Sequence, residues 1–239
     1  MSVNILRNPS IVYKPAVVLV SPMPAAFISF RESIRWLPEE PFEPTQTIVL
    51  TSAKSGVFLD VRFNKEAGAS DLDWAFAGYR SSPTPTSTKF THHIDSRTLA
   101  LTQDPLQVVD VGTNTPLPGM RTLEAGEMVN PATGIMTQYE EIWRDEECDQ
   151  AVFLRNVAGS VWRAWVGRWQ LALGRTPRGE FWAWQGFNDG SEQEAWTRPF
   201  STHLVGSDNS EQTYLPRDCH LWEKGSTMDW AGDRWFVLD

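Results

Sequence analysis

Cysteine, histidine and long hydrophobic runs are all scarce in this sequence. Its 239 residues include only two cysteines, Cys148 and Cys219, which are too few for a disulfide scaffold and form no CxxC zinc pattern. Whether these two cysteines pair is left open. The apolar run at residues 16–20 is shorter than the core of a signal peptide or a membrane-spanning helix, and prolines interrupt its surroundings. The sequence therefore predicts a cytoplasmic protein with no membrane span.

Positive charge and the common catalytic motifs are also in short supply. Lysine and arginine number 21 against 30 acidic residues, and the net charge of −9 disfavours binding to nucleic acid or to an anionic membrane. The chain contains no G-x-S-x-G, P-loop, G-x-G-x-x-G or H-E-x-x-H motif. Hydrolase, kinase and dehydrogenase activities are therefore poorly supported. With only four histidines, we expect neither a metal nor a nucleotide cofactor.

Strand patterns dominate what is present. In residues 57–63 the odd-numbered residues are all Val, Leu or Phe, whereas the even-numbered ones include Asp60 and Arg62; this is the period of two that a β-strand imposes. Similar short segments, separated by clusters of Gly, Pro, Asn and Asp, continue to the end of the chain. The Ser/Thr/Pro-rich residues 81–88 predict an exposed loop. We predict an all-β fold of antiparallel barrels or sandwiches with little helix.

A weak internal repeat divides the chain into two halves. Residues 73–79 (DWAFAGY) resemble residues 181–187 (FWAWQGF), and residues 123–126 (LEAG) resemble residues 222–225 (WEKG), in the same order. A half of about 100 residues can close one small barrel. The predicted organisation is an N-terminal arm at 1–29, a first β-barrel at 30–146 and a second β-barrel at 147–239.

Tryptophan is over-represented, with 12 copies. Trp182 and Trp184 alternate on one predicted strand and therefore share a face. Aromatic side chains of this size fill barrel cores, and a set this large also suits the wall of a pocket for a flat or polycyclic apolar ligand. Both interpretations stay open for each tryptophan.

Polar residues on predicted strands are the candidates for chemistry. Asp60 and Arg62 lie on the face opposite the apolar stripe, either as a solvated outer surface or as an ion pair that orients a ligand oxygen inside a barrel. His92 and His93 diverge on one strand, so they cannot easily ligate one metal. The alternation places His93 on the face of Asp95, which makes His93 the preferred donor into a cavity.

Residues 139–144 alternate in the same way. Tyr139, Glu141 and Trp143 point to one side of the predicted strand, and Arg144 points to the other. Glu141, placed between two aromatic residues, belongs either to a surface charge ladder or to a buried site in which its pKa is raised.

Several blocks of sequence resemble one known family. Spread in order along residues 30–239, they are SIRWLPEEP (33–41), TIVLT (47–51), LDWAFAG (72–78), HIDSR (93–97), NPATG (130–134), YEEIWRD (139–145), GRWQ (167–170) and EKGS (223–226). These blocks resemble the fungal HRI-type proteins, which are named for interaction with a casein-kinase-I homologue. The resemblance implies two tandem lipocalin-like (calycin) β-barrels and carries no catalytic motif. Calycin-like proteins of fungal secondary-metabolite biosynthesis also include cofactor-independent hetero-Diels–Alderases.

Two function hypotheses follow. The first is a cofactor-free cyclase or pericyclase of the hetero-Diels–Alder type, in which the barrel holds an apolar polycyclic or terpenoid ligand in a reactive pose and a donor stabilises developing charge. Its predicted catalytic residues are Arg62, His93, Tyr139 and Glu141. Its predicted substrate-binding residues are Asp60, Trp74, Phe76, Trp143, Arg144, Trp182 and Trp184. The second hypothesis is a non-catalytic lipocalin-like carrier or a protein that binds a protein kinase.

Overall fold

The computed structural model describes residues 23–98, 104–190, 195–202 and 213–239, so most of the predicted N-terminal arm, residues 1–22, lies outside the described residues. The strands are β1 (Ala26–Trp36), β2 (Thr45–Ser52), β3 (Val57–Asn64), β4 (Leu72–Thr84), β5 (Ser87–Asp95), β6 (Asp110–Leu117), β7 (Arg121–Val129), β8 (Met136–Cys148), β9 (Ala151–Asn156), β10 (Val161–Val166), β11 (Trp169–Arg175), β12 (Phe181–Asn188), β13 (Trp196–Ser201), β14 (Thr227–Trp230) and β15 (Asp233–Val237). Short 3₁₀ helices lie at Pro105–Gln107 and Arg217–Leu221. No helix in the described ranges is long and apolar enough to cross a lipid bilayer. The predicted all-β fold is confirmed.

Strands β1 to β8 form a closed antiparallel barrel. Each strand pairs with the next along the chain, and β8 returns to pair with β1 from Ala26 opposite Cys148 to Trp36 opposite Tyr139. Closure leaves no strand edge unpaired around the barrel, and it gives every strand one inward and one outward face.

Strands β9 to β15 form a seven-stranded antiparallel sheet in the order β13-β12-β11-β10-β9-β15-β14. Its first strand, β9, pairs with its last, β15, just as β1 pairs with β8. The repeated segment FWAWQGF forms β12, the fourth strand of this unit, and its counterpart DWAFAGY lies in β4, the fourth strand of the barrel. Among the described strands, β13 and β14 are the two edges of this sheet.

The main hydrophobic core lies between the barrel and the second sheet. The outward face of β3, including Leu59 and Val61, packs in one cluster with Phe153, Trp162 and Leu171 of the second sheet. The apolar stripe of β3 is therefore on the outside of the barrel but buried by its neighbour. Because side chains alternate along a strand, this contact turns the polar face of β3 toward the barrel interior.

Candidate ligand-binding site

The interior of the barrel contains a cavity of about 300 Å³. It reaches the surface at the β4–β5 hairpin, where Ser82, Pro85 and Thr86 line it and are themselves exposed. At its deep end the lining is charged but buried, with Asp60 3% and Glu141 4% exposed. The cavity therefore combines an accessible, hydroxyl-rich mouth with a charged floor that is shielded from water.

Arg62 lies at the floor and is held by Asp60 of the same strand. Its Nε and Nη2 donate to the two carboxylate oxygens of Asp60 at 3.0 and 2.7 Å, and its Nη1 lies 3.7 Å from Oε1 of Glu141. The guanidinium also lies over the rings of Trp74 and Trp143, at 4.9 and 5.9 Å from their centroids. Burial raises the pKa of Asp60. Burial opposes the charge of Arg62, but the two carboxylates outweigh it and raise the pKa of Arg62.

Arg31 is a second buried cation and was not predicted from the sequence. Its Nη1 donates to Oε1 of Glu141 at 2.5 Å, its Nε to Oε2 of Glu43 at 2.8 Å, and its Nη2 to Oγ1 of Thr45 at 2.8 Å. Burial opposes the charge on Arg31, but Glu141 and Glu43 offset it, and the pKa of Arg31 is raised. Glu141 is therefore neutralised by Arg31 more closely than by Arg62.

Tyr139 of β8 and Glu124 of the neighbouring strand β7 form a buried hydrogen bond. The Tyr139 hydroxyl donates to Oε1 of Glu124 at 3.0 Å. Two glycines make room for this pair, because a Cβ at Gly112 would lie 2.6 Å from the Glu124 side chain and one at Gly126 would lie 2.6 Å from the Tyr139 hydroxyl oxygen. Burial, followed by the carboxylate of Glu141, raises the pKa of Glu124 to about 8. Burial and Glu124 likewise raise the pKa of Tyr139.

His92 lies between two carboxylates: that of Asp110, which lines the cavity, and that of Asp95, which does not. Its Nδ1 lies 2.7 Å from Oδ2 of Asp95, its Nε2 lies 3.0 Å from Oδ2 of Asp110, and its ring stacks on Phe76 at 4.2 Å. Trp74 Nε1 donates to the other oxygen of Asp95 at 3.0 Å. Burial opposes protonation of His92, but the two carboxylates outweigh burial and raise its pKa. The arrangement holds a histidine between two acids, one of which lines the cavity.

The prediction that His93 and Asp95 share a face is wrong. Ala77 pairs with Ile94 but Gly78 pairs with His92, so His93 is the extra residue of a β-bulge, which shifts the alternation by one residue. A Cβ at Gly78 would lie 1.9 Å from the Thr91 carbonyl oxygen, so the backbone approach at this bulge requires glycine. His92, rather than His93, therefore shares the inward face with Asp95.

The structure brings seven of the eleven predicted site residues to the cavity. The seven that line it are Asp60, Arg62, Trp74, Phe76, Tyr139, Glu141 and Trp143. His93 is exposed on the outside of the barrel, where its ring lies near those of Tyr79 and the buried Trp162. Arg144 lies over the ring of Phe30 at 4.7 Å, on the other face of β8. These two side chains point away from the cavity.

The predicted residues Trp182 and Trp184 belong to the second sheet. They are buried with Ala172, whereas the intervening Ala183 packs in the core against the barrel, so both tryptophans are on the face that points away from the barrel. Trp182 lines a separate cavity of about 300 Å³. That cavity also includes Arg163, which lies 5.7 Å from the ring centroids of Trp182 and Trp184. These aromatics serve the second unit and do not reach the barrel interior.

Five buried ionisable residues of the barrel were missing from the predicted site: Arg31, His92, Asp95, Asp110 and Glu124. For Glu124 a signal existed, because Gly112 and Gly126 leave inward positions of neighbouring strands without side chains. For His92 no signal existed, since the bulge cannot be read from the alternation. No group of three or more His, Cys, Asp or Glu side chains in the described part of the chain is arranged to hold a metal.

Comparison with known proteins supports the fold. The family model described as Protein HRI1 matches residues 27–239. A solved structure, that of the uncharacterized protein YLR301w from Saccharomyces cerevisiae, superposes with a TM-score of 0.68 at 14% sequence identity, and the match covers 90% of this chain and 98% of that one. No curated protein sequence matches. At this identity the structural match speaks for the shared fold alone.

Proposed function

We propose that this chain, which belongs to the HRI1 protein family, binds a small organic ligand inside its eight-stranded barrel. The family model spans both the barrel and the second sheet. The observation that carries this proposal is the cavity of about 300 Å³ with an exposed mouth and a buried charged floor. This volume lies at the lower end of the range of ligand-binding pockets.

The lining of the cavity suits an amphipathic ligand. Aromatic surface comes from Trp74, Phe76, Phe90 and Trp143, and the buried polar groups at the floor would orient the ligand. A few placed polar groups within an aromatic wall are the usual composition of a small-molecule site. A barrel interior that served only stability would be packed with apolar side chains in contact with one another, since buried charges stabilise a fold poorly.

The predicted cycloaddition has a weaker basis in this geometry. Two guanidinium nitrogens of Arg62 already donate to Asp60, and the Tyr139 hydroxyl already donates to Glu124. A donor that stabilises charge on a reacting oxygen must be directed at that oxygen rather than at the protein's own carboxylate. Catalysis by these residues, and binding of a protein kinase, therefore stay predictions, and ligand binding is the function that we propose.

The test blocks the cavity and measures binding. Uncharged, cationic and anionic aromatic probes would be titrated against the protein while the fluorescence of the cavity tryptophans is recorded. Thr122 lines the cavity, whereas its neighbour Leu123 lies on the outward face of the same strand. Thr122→Trp should weaken every probe that binds by at least about tenfold, equivalent to about 1.4 kcal/mol. Leu123→Trp, the matched control, should bind as the parent does. If no probe binds, or if both variants bind like the parent, the proposal fails.

A further inference from the structure

We propose that the ligand of this barrel is an organic cation, whose positively charged nitrogen lies between the carboxylates of Glu124 and Glu141 with the cavity aromatics around it. This inference rests on the proposed function, because it names the class of ligand for the same cavity.

The described lining of the cavity carries more acid than base. It includes five carboxylates, Asp60, Asp110, Glu124, Glu141 and Asp145, but only two guanidinium groups, those of Arg62 and Arg80. Arg80 is exposed at the mouth rather than buried at the floor. The deep part of the cavity therefore favours a ligand of positive charge.

Most of these carboxylates have a partner in the protein. Asp60 pairs with Arg62 and Asp110 with His92. Glu141 pairs with Arg31, and Asp145 accepts a hydrogen bond from a serine hydroxyl of β1. Three of the five acids therefore have a cation in the described protein, and Asp145, which has none, is only half-buried.

Glu124 is the acid of these five that is buried and has no cation among the described residues. Its contact within the described chain is the hydrogen bond from the Tyr139 hydroxyl to Oε1, and it forms no ion pair with any described residue. It is nevertheless only 8% exposed. Burial without a cation destabilises the ionised form of a carboxylate, so the group is favoured either with a bound proton or in contact with a positively charged ligand.

The strand register places Glu124 directly opposite Glu141. The two residues are Cα partners of β7 and β8, and both side chains line the cavity. Like charges that face each other across a strand pair repel, and a low-dielectric interior strengthens the repulsion. A single positive charge between them relieves that repulsion. The adjacent inward pair is Thr122 with Trp143, so an aromatic face lies one step toward the mouth.

Aromatic rings complete a site for a cation of low hydration. Trp74 and Trp143 both line the cavity, and the guanidinium of Arg62 already lies over each of them. The faces of tryptophan rings attract cations, and cages of aromatic rings recognise quaternary ammonium groups. Because an organic ammonium brings its own apolar surface, it also suits the rest of the wall.

Binding of such a cation displaces a proton. Near neutral pH Glu124 is mostly protonated, since its pKa is raised to about 8 by burial and by the acids Glu141 and Asp110, against which Tyr139 and Arg62 act more weakly. The balanced step is neutral Glu124 plus a free cation giving the Glu124 carboxylate paired with the cation and one proton released to solvent. Affinity for a permanently charged ligand therefore rises with pH up to about 8, by at most about tenfold per pH unit, and levels off above it.

The experiment uses a permanently charged probe and its uncharged analogue. Benzyltrimethylammonium and neopentylbenzene share one shape, but only the first carries charge at any pH. Each would be titrated against the full-length protein at about pH 6 and about pH 9, on either side of the pKa of Glu124. We expect the cation to bind at least about tenfold more tightly at the higher pH, with proton release detected near neutral pH by calorimetry in buffers of different ionisation enthalpy. Neopentylbenzene should bind equally at both pH values.

Two matched variants assign the effect to one carboxylate. Glu124→Gln keeps an acceptor for Tyr139 but cannot ionise, so binding of benzyltrimethylammonium should lose its pH dependence and its proton release in this variant. Glu127→Gln removes an exposed acid on the outward face of the same strand and should behave like the parent.

The outcomes separate the two proposals. If uncharged or anionic probes bind while benzyltrimethylammonium does not, or if Glu124→Gln keeps the pH dependence, the cation inference is overturned and ligand binding stands. Tighter binding of Ca²⁺ or Mg²⁺ with the same proton release would replace the organic cation with a metal. If no probe of any charge binds, both proposals fail. If a variant does not fold, the parent protein decides the inference: affinity for benzyltrimethylammonium that does not rise between about pH 6 and about pH 9 overturns it.

Discussion

The two halves of this chain place their charges and their tryptophans differently. The barrel turns ion pairs such as Arg62 with Asp60 into its interior, where they line a cavity. The second sheet uses one face for the core against the barrel, and its other face carries tryptophans, including Trp182 and Trp184, next to a cavity that the buried Arg163 also lines. Closure explains part of the difference, since a closed barrel has an interior separate from its packing surface, whereas the described strands of the second unit form one sheet with two faces.

The largest expected effect comes from the core between the two halves. Trp162 is fully buried there, and Trp162→Ala should lower the free energy of unfolding by about 3–5 kcal/mol. Trp143→Ala should cost less, because the Trp143 ring borders the barrel cavity and has fewer packed neighbours to lose. Midpoints of urea unfolding would measure both. An equal or larger loss in Trp143→Ala would contradict the distinction between a packed core and a binding cavity.

Arg62→Met should have the next largest effect, about 3 kcal/mol, because it leaves Asp60 buried without its cation. We place it at the lower end for a buried pair, since the pKa of Asp60 is already raised and the carboxyl can bind a proton. The double variant with Asp60→Leu should recover most of the stability, since an apolar pair of similar size often replaces a buried ion pair without loss. No recovery in the double variant would show that Arg62 stabilises the fold through its other contacts.

A smaller, pH-dependent effect is expected from Glu124. Its pKa is raised from 4.5 to about 8 in the folded protein, so between these values the folded state holds a proton that the unfolded state has lost. Stability therefore falls as pH rises through this window, and Glu124→Gln, which cannot ionise, should remove part of the fall, about 1–3 kcal/mol between about pH 5 and about pH 8. The raised pKa of His92 gives a further loss as pH rises above its unfolded value, and this loss should remain in Glu124→Gln. Parallel pH profiles of the two proteins would contradict the assignment.

The smallest effect is expected at an exposed ion pair of the second sheet. Arg234 donates to Asp229 at 2.9 Å on the surface, where water and salt screen the charges. Asp229→Asn should leave the unfolding midpoint unchanged, in contrast to Arg62→Met in the barrel. A loss of similar size in both variants would mean that burial does not set the strength of these pairs.

The alternation of residues predicted much of the site. It correctly grouped Asp60 with Arg62, and it separated Tyr139, Glu141 and Trp143 from Arg144. It failed at His93, because one extra residue in a bulge reverses the alternation beyond it. It also missed Glu124 and Arg31, whose roles depend on partners that lie far away in the sequence.

The predicted exposed loop at residues 81–88 shows a similar limit. Most of these residues are exposed, but all except Pro85 and Thr86 belong to β4 and β5, which extend to that two-residue turn at the mouth of the cavity. Serine and proline favour a loop, whereas threonine is tolerated in strands, and pairing of the two strands outweighed the local preference.

By itself, the sequence determined the all-β class, the two unlike faces of strands such as β3 and β8, and the correspondence of the two halves, because these depend on local alternation and on repeated segments. Only the tertiary structure decided which face of each strand turned inward, since one alternation fits either side of a sheet. Packing of the apolar stripe of β3 on the second sheet made that choice for Asp60 and Arg62. The strand register then set Glu124 opposite Glu141 and so placed two carboxylates next to each other in the cavity lining.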